Sequence, residues 1–403
     1  MSPLMTDRLL NDLAAGIDRA LPDAVALRRE IHADPHLSGE EEPTRDRFQA
    51  AADWLDWSPV AHTGAWARIG ADGPAVGLRA ELDALPIVES TTVQWRSARP
   101  GIMHACGHDV HLAALWAVLA AARELDLPTG LIPILQPREE VTPPGALDVV
   151  SSGLLADQGV EAMIGVHVQP QVEPGIVSTG AGAVNAAYDS FEIVVRGSAG
   201  HGAYPHLAVD PITTLAAIVD AVAGLPNRIV DPTHPTVISF GLITGGTAPN
   251  VIPDEARAKG TIRTFNDADR YRLHRAIEAT ARAVADSRGA AAEVRFRTGG
   301  PALVNDPGLV HRLDPLLSGL GITVAETPFR SCGSDDFAEY GLEAASVMCF
   351  VGTGRINGAG LHNGSYLPDR EALRTAARAY AAGYVAASGI VLAEGDPRDG
   401  SGS

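Results

Sequence analysis

Between His104 and His111 the stretch Met103-His-Ala-Cys-Gly-His-Asp-Val-His111 gathers three imidazoles, a thiol and a carboxylate, in a chain with 13 histidines and three cysteines. Thiolate and neutral imidazole are the ligands of zinc and similar transition ions. On an extended backbone Cys106 and His108 would project to the same side, as a joint ligand pair must. Further along, the apolar run Leu131-Ile-Pro-Ile-Leu135 leads straight into Gln136-Pro-Arg-Glu-Glu140. Adjacent acids repel, and each loses hydration if enclosed. A solvated turn is the bland explanation. A bound dication is the functional one: one carboxylate coordinates while the other serves as a base.

Two further histidines suit the same chemistry. Gly165-Val-His-Val-Gln-Pro170 puts His167 at the end of an apolar strand, and Gly360-Leu-His-Asn-Gly364 puts His362 in a glycine-flanked loop. Each alone would serve equally in a core or a turn, and Cys106 alone would be a small buried residue. Their combination at strand ends and loops is what favours a site.

The elements that must position these groups follow from periodicity. Helical patterns cover 8–33, 44–57 and 110–125, and strand patterns cover 75–82 and 130–136. Leu112, Leu115, Trp116 and Leu119 repeat with the spacing of one buried helical stripe. Such alternation implies an α/β domain with a mainly parallel sheet, and functional groups beyond the carboxyl ends of its strands. The pattern changes near 187. Strands at 191–196, 236–243, 257–265 and 293–297 enclose helices that begin at Asp210-Pro211 and at about 268, the order of a ferredoxin-like βαββαβ unit. A strand at 345–351 and a helix at 369–387 return to the first type. The expected architecture is therefore a discontinuous catalytic domain, 1–186 and 300–403, with an inserted lid or dimerisation domain at 187–299, and a disordered polar tail at 394–403.

At 403 residues the chain exceeds the size at which one core keeps growing. Its 49 acids against 31 bases give a formal charge of −18, which argues against nucleic acid and anionic membranes as partners. Three cysteines do not make a disulfide framework, no signal peptide is visible, and no apolar run is long enough to span a bilayer. The expectation is a cytoplasmic protein.

With those residues on the page, the sequence resembles the di-metal amidohydrolases that include hippurate hydrolase, aminoacylases and plant indole-3-acetyl-amino-acid hydrolases. The resemblance runs over nearly the whole chain. It is carried by Arg79-Ala-Glu-Leu-Asp-Ala-Leu-Pro86, Met103-His-Ala-Cys-Gly-His-Asp109, Gln136-Pro-Arg-Glu-Glu140, His167-Val-Gln-Pro170, Gly200-His-Gly-Ala-Tyr-Pro-His206, Asn250-Val-Ile-Pro-Asp254 and Gly333-Ser-Asp-Asp-Phe337. It implies two divalent metal ions, zinc or manganese, with cobalt or nickel as further options. Cys106, His108, Glu140, His167 and His362 match the family's metal ligands, and Glu139 matches its general base. His201 matches a small-domain residue that reaches the partner subunit's site in a homodimer. Asn250 and Arg263 match residues that hold the substrate's carboxylate. The implied activity is hydrolysis of the amide bond in N-acyl amino acids or similar small conjugates.

Departures from the family pattern fall at Glu81, where aspartate is usual, at His36, at Val141-Thr-Pro-Pro-Gly145, and at Asn363-Gly-Ser-Tyr366. They leave the substrate open. A dipeptidase or carboxypeptidase-type hydrolase is the alternative on the same site. From other classes, a thiol enzyme would use Cys106 as nucleophile, although nearby acids oppose a free thiolate. A non-catalytic metal-binding relative would be expected to lack Glu139.

Overall fold

The computed structural model describes residues 2–70, 72–355 and 358–394. The tail reading at 394–403 therefore lies outside the described residues beyond Glu394. The chain divides into two compact units, Met1–Gly182 with Val304–Phe329 and Asp336–Ser403, and Ala183–Leu303 with Arg330–Asp335.

The first unit is built on an eight-stranded sheet in the order Ser58–Val60, Gly64–Trp66, Gly130–Gln136, Ala75–Glu81, Val160–Gln169, Ala345–Gly352, Ile176–Ser178 and Thr323–Val324. Its four central strands are parallel neighbours, so the sheet is mainly parallel. Every residue of Ala75–Glu81 and Gly130–Gln136 is buried, as both faces of such a sheet are covered. Pro133 sits in a strand interior without breaking it. Its carbonyl accepts from Ala67 N, and the missing N–H interrupts the antiparallel pairing on that side, which resumes at Ile69 with Leu131, while the parallel pairing with Ala75–Glu81 runs through unbroken.

Helix His108–Ala122 differs from the single-stripe expectation. All its residues but Ala120 are buried, because it packs against helices Pro3–Ala33 and Arg370–Glu394 as well as the sheet. A helix apolar all round belongs in an interior. Its start also differs. Ala105 and Cys106 lie in a turn, not on extended backbone, and Gly107 takes φ +91° before the helix begins at His108. A Cβ on Gly107 would sit 2.3 Å from Val168 Cγ2, so glycine is required both for the turn and for this approach.

The second unit runs Ala187–Arg196, Pro211–Ala223, Thr236–Gly245, Glu255–Thr264, Asp267–Asp286 and Ala291–Thr298, that is βαββαβ. Its four strands pair antiparallel in the order Thr236–Gly245, Glu255–Thr264, Ala187–Arg196, Ala291–Thr298. Asp210 caps the first helix through Ile212 N and Asn266 caps the second through Ala268 N. Alternate residues of Glu255–Thr264 are buried, so one sheet face holds both helices on a core of Phe191, Ile193, Leu215, Ile218, Leu273 and Ile277. Among the described residues no helix is long and apolar enough to cross a membrane.

Candidate functional site

Strand ends and one helix start deliver the first unit's ligand-type side chains to a common place. Ligand atoms of Cys106, His108 and His167 lie within 4.8 Å of one another, as do those of Cys106, Glu140 and His362, and those of His108, Glu139 and Glu140. Six of the residues singled out in the sequence are thus brought together. Glu139 and Glu140 follow the strand Gly130–Gln136 after Arg138, whose φ of +52° turns the chain. His362 also takes positive φ, +60°, and its N–H donates to Ala105 O at 2.9 Å, tying its loop to the Cys106 turn. Left-handed backbone at two non-glycine residues beside one cluster is a cost that surrounding contacts must offset.

Hydrogen bonds sort the imidazoles. Nδ1 of His108 is 2.7 Å from the backbone carbonyl of Asp83, and Nδ1 of His167 is 2.7 Å from that of Val168. A carbonyl only accepts, so each Nδ1 carries a hydrogen and, in the neutral ring a cation would bind, each Nε2 presents a lone pair. His108 Nε2 is buried without a hydrogen-bond partner, and His167 Nε2 is 3.4 Å from Cys106 Sγ. His111 is the opposite case. Val168 N donates to its Nε2 at 3.0 Å and its Nδ1 donates to Glu81 Oε2 at 2.9 Å, so both nitrogens are used. Proximity to Glu81 and His108 does not make His111 a free ligand.

The field of the cluster is negative. Burial pushes the Cys106 thiol well above its ordinary range, and Glu140, Glu139 and Glu81 push it further. Burial alone would lower the pKa of His108, but Glu81, Asp83 and Glu140 outweigh it and carry the imidazole up to about 10. Glu140 Oε1 is buried without a hydrogen bond, with His362 Nε2 at 3.2 Å but not aligned to donate. A bare imidazole nitrogen on His108, a thiol and a buried carboxylate oxygen without a hydrogen bond, in a negative field, fit divalent cations. They do not fit a free thiolate nucleophile.

The structure adds residues that the sequence reading left without a role. Asp83 lies just past the carboxyl end of Ala75–Glu81 and accepts from Ser38 Oγ at 2.7 Å and Glu140 N at 3.0 Å. It therefore braces His108 and Glu140 together. Glu81, the departure from aspartate, is fully buried and bonds Arg79 and His111. Arg79 also donates to Gln136 and Asp336. His36, the other departure on this side, is buried against Thr44 Oγ1 at 3.0 Å. Their only sequence signal was acids alternating along and just past a buried strand.

In the second unit, the short strand Gly200–His201 pairs with Val251–Ile252, and Gly202 N donates to Asn250 O at 2.8 Å. His201 and Asn250 are neighbours by this ladder. Ala203 N donates to His201 Nδ1 at 3.0 Å, which leaves the hydrogen of the neutral ring on Nε2, ready to donate. Arg263 stands on Glu255–Thr264, half-buried.

Comparison with known proteins agrees with this chemistry. The model of the family described as peptidase family M20/M25/M40 matches residues 77–383. An N-acyl-L-amino acid amidohydrolase of Geobacillus stearothermophilus is 35% identical over 76% of this chain and 83% of its own length. An N-acetylcysteine deacetylase of Bacillus subtilis is 32% identical over 89% of this chain and 94% of its own. A dinuclear metal-binding M20 peptidase structure from Bacillus subtilis superposes with a TM-score of 0.81 at 30% identity, covering 91% of this chain and 98% of that one.

Proposed function

We propose, for a chain that belongs to peptidase family M20/M25/M40, hydrolysis of the amide bond in N-acyl amino acids or related small conjugates. Family membership makes it a metallo-amidohydrolase. The observation that carries the proposal is a buried His108 Nε2 and a buried Glu140 Oε1, neither with a hydrogen bond, clustered with a second carboxylate, Glu139.

Cys106, His108, Glu140, His167 and His362 would hold two divalent ions, zinc or manganese by their donor set. Such ions polarise a carbonyl and lower the pKa of water from about 15.7 to about 7. Glu139 takes the proton of the attacking water and passes it to the leaving amine nitrogen. His201, reaching the neighbouring subunit's site in a dimer, would donate from Nε2 to the developing oxyanion, a contribution of roughly 3 kcal/mol for a well-placed donor. Asn250 and Arg263 bind the substrate's carboxylate, which a guanidinium can grip at two points. Enclosure of Glu139, whose side chain is 11% exposed, keeps bulk water from competing for that proton.

The test is a panel of N-acyl amino acids with zinc- or manganese-loaded protein, following amine release. Hydrolysis that disappears on exhaustive chelation and returns with metal is expected. Full activity in metal-free protein would remove the reading.

The second unit is the lid and dimerisation module in this reading. Its edge strand Thr236–Gly245 has no charged side chain and exposes Val237, Leu242 and Ile243. An unprotected edge of this kind pairs readily with a second copy. Light scattering should return the mass of a dimer, and a single-chain mass would refute this part.

A further inference from the structure

Arg263 has no acid within ion-pair distance among the described residues, in a chain with 49 acids. It is nevertheless held firmly. Buried Ile262 and Thr264 flank it, so its side chain lies on the sheet face away from the helices. Its cross-strand partner in register is Tyr188. The guanidinium carbon lies 5.2 Å from the centre of the Tyr188 ring, and Nη1 donates to Ser334 Oγ at 3.1 Å. The ring has its own support on the other side. A Cβ on Gly299 would fall 2.6 Å from the ring, so only glycine admits this placement. Below it, Asp189 binds Arg270 and Gly299 N, fixing the backbone on both sides of Tyr188.

We propose that Tyr188 and Ser334 are positioning residues that hold the Arg263 guanidinium for a substrate carboxylate. An aromatic face and a hydroxyl fix a guanidinium without neutralising it, whereas an acid would consume its charge. The remaining N–H groups stay available as a planar fork, the geometry that matches a carboxylate. The platform would make the enzyme select substrates that carry a free carboxylate beside the scissile amide. This rests on the amidohydrolase reading above.

The experiment compares wild type, Tyr188→Phe, Tyr188→Leu and Ser334→Ala on an N-acetyl amino acid and on its carboxamide. Tyr188→Leu should raise KM for the carboxylate substrate roughly three- to thirtyfold. Its kcat should stay within about twofold, the pattern of lost uniform binding. Ser334→Ala should act in the same direction, Tyr188→Phe should stay near wild type, and the carboxamide's KM should not move. Equal losses on both substrates, or a Tyr188→Phe as impaired as Tyr188→Leu, would overturn the proposal in favour of a fold defect, and thermal melts would show that defect directly. If wild type hydrolyses no N-acyl amino acid, the amidohydrolase reading falls by itself. Calorimetric titration of the same two compounds then decides the platform. Tighter binding of the carboxylate, weakened by Tyr188→Leu, supports it, and no preference or no binding overturns it.

Discussion

Asp189 in the second unit and Glu140 in the first are both largely enclosed carboxylates facing a histidine. Asp189 accepts from Arg270 Nε at 2.8 Å and from Gly299 N at 2.9 Å, with His274 Nε2 at 2.6 Å. Both its oxygens are used. Glu140 has one oxygen buried without a hydrogen bond, and the nearby His108 Nε2 also has none. Burial raises the pKa of Asp189, yet its partners outweigh this and hold it well below the carboxylate range. Both sites are costly to desolvate, and only the Asp189 site has recovered that cost within the chain. Enclosed charge by itself therefore marks nothing. Unmet valence in enclosed charge marks a place where something else must bind.

The largest effect should come from the carboxylate next to the incomplete one. Glu139→Gln removes a base and keeps the shape, so its rate should fall by about 10²- to 10⁴-fold with bound metal retained. Glu140→Gln should instead release metal. Elemental analysis beside steady-state rates separates the two. Near-normal turnover in Glu139→Gln would place the proton elsewhere, and equal metal content in both variants would erase the distinction between the neighbours.

How much of this was readable beforehand depends on locality. Cys106 with His108, and Glu139 with Glu140, declare themselves because ligand types crowd into short stretches after apolar runs. The reason they converge was misread. Gly107 turns the chain in the left-handed region, so side-chain alternation does not apply there. Asp83 was visible only as one acid in a longer stretch, because its bonds to Ser38 and Glu140 N join distant segments. The helix after Gly107 read as one stripe because periodicity reports contrast, and a helix wrapped by two others has little. The strands of the second unit were legible from alternation. Tyr188 against Arg263 was not, since cross-strand register leaves no mark in the sequence.

Breaking the satisfied cluster should damage stability and leave metal binding intact. Asp189→Ala strands Arg270, whose side chain is 8% exposed, and should cost about 3–5 kcal/mol. The pH dependence has a definite sign. The folded pKa of Asp189 is depressed, so its contribution is complete above the unfolded value of about 3.9 and is lost as pH falls toward the folded one. Denaturation at neutral pH should therefore show the full difference between wild type and variant, and the two should converge in strong acid. A variant as stable as wild type at neutral pH, or one that loses metal, would dissolve the contrast between the clusters.

The smallest effect sharpens the comparison most, because it concerns a residue that braces the incomplete cluster without belonging to it. Asp83 accepts from Ser38 and Glu140 N, and its backbone carbonyl receives the Nδ1 hydrogen of His108. Asp83→Asn preserves size, the backbone bond and one oxygen able to accept from both Ser38 and Glu140 N, but removes a negative charge beside His108. Outer partners of this kind set the orientation and basicity of ligands, and their loss typically weakens metal binding by about 10- to 100-fold. Competition against a chelator of known affinity should show that weakening, and excess metal should restore most of the rate, because Glu139 is untouched. An unchanged affinity would mean that His108 and Glu140 are held in place by packing alone. A rate that excess metal fails to restore would move Asp83 from support into the chemistry itself.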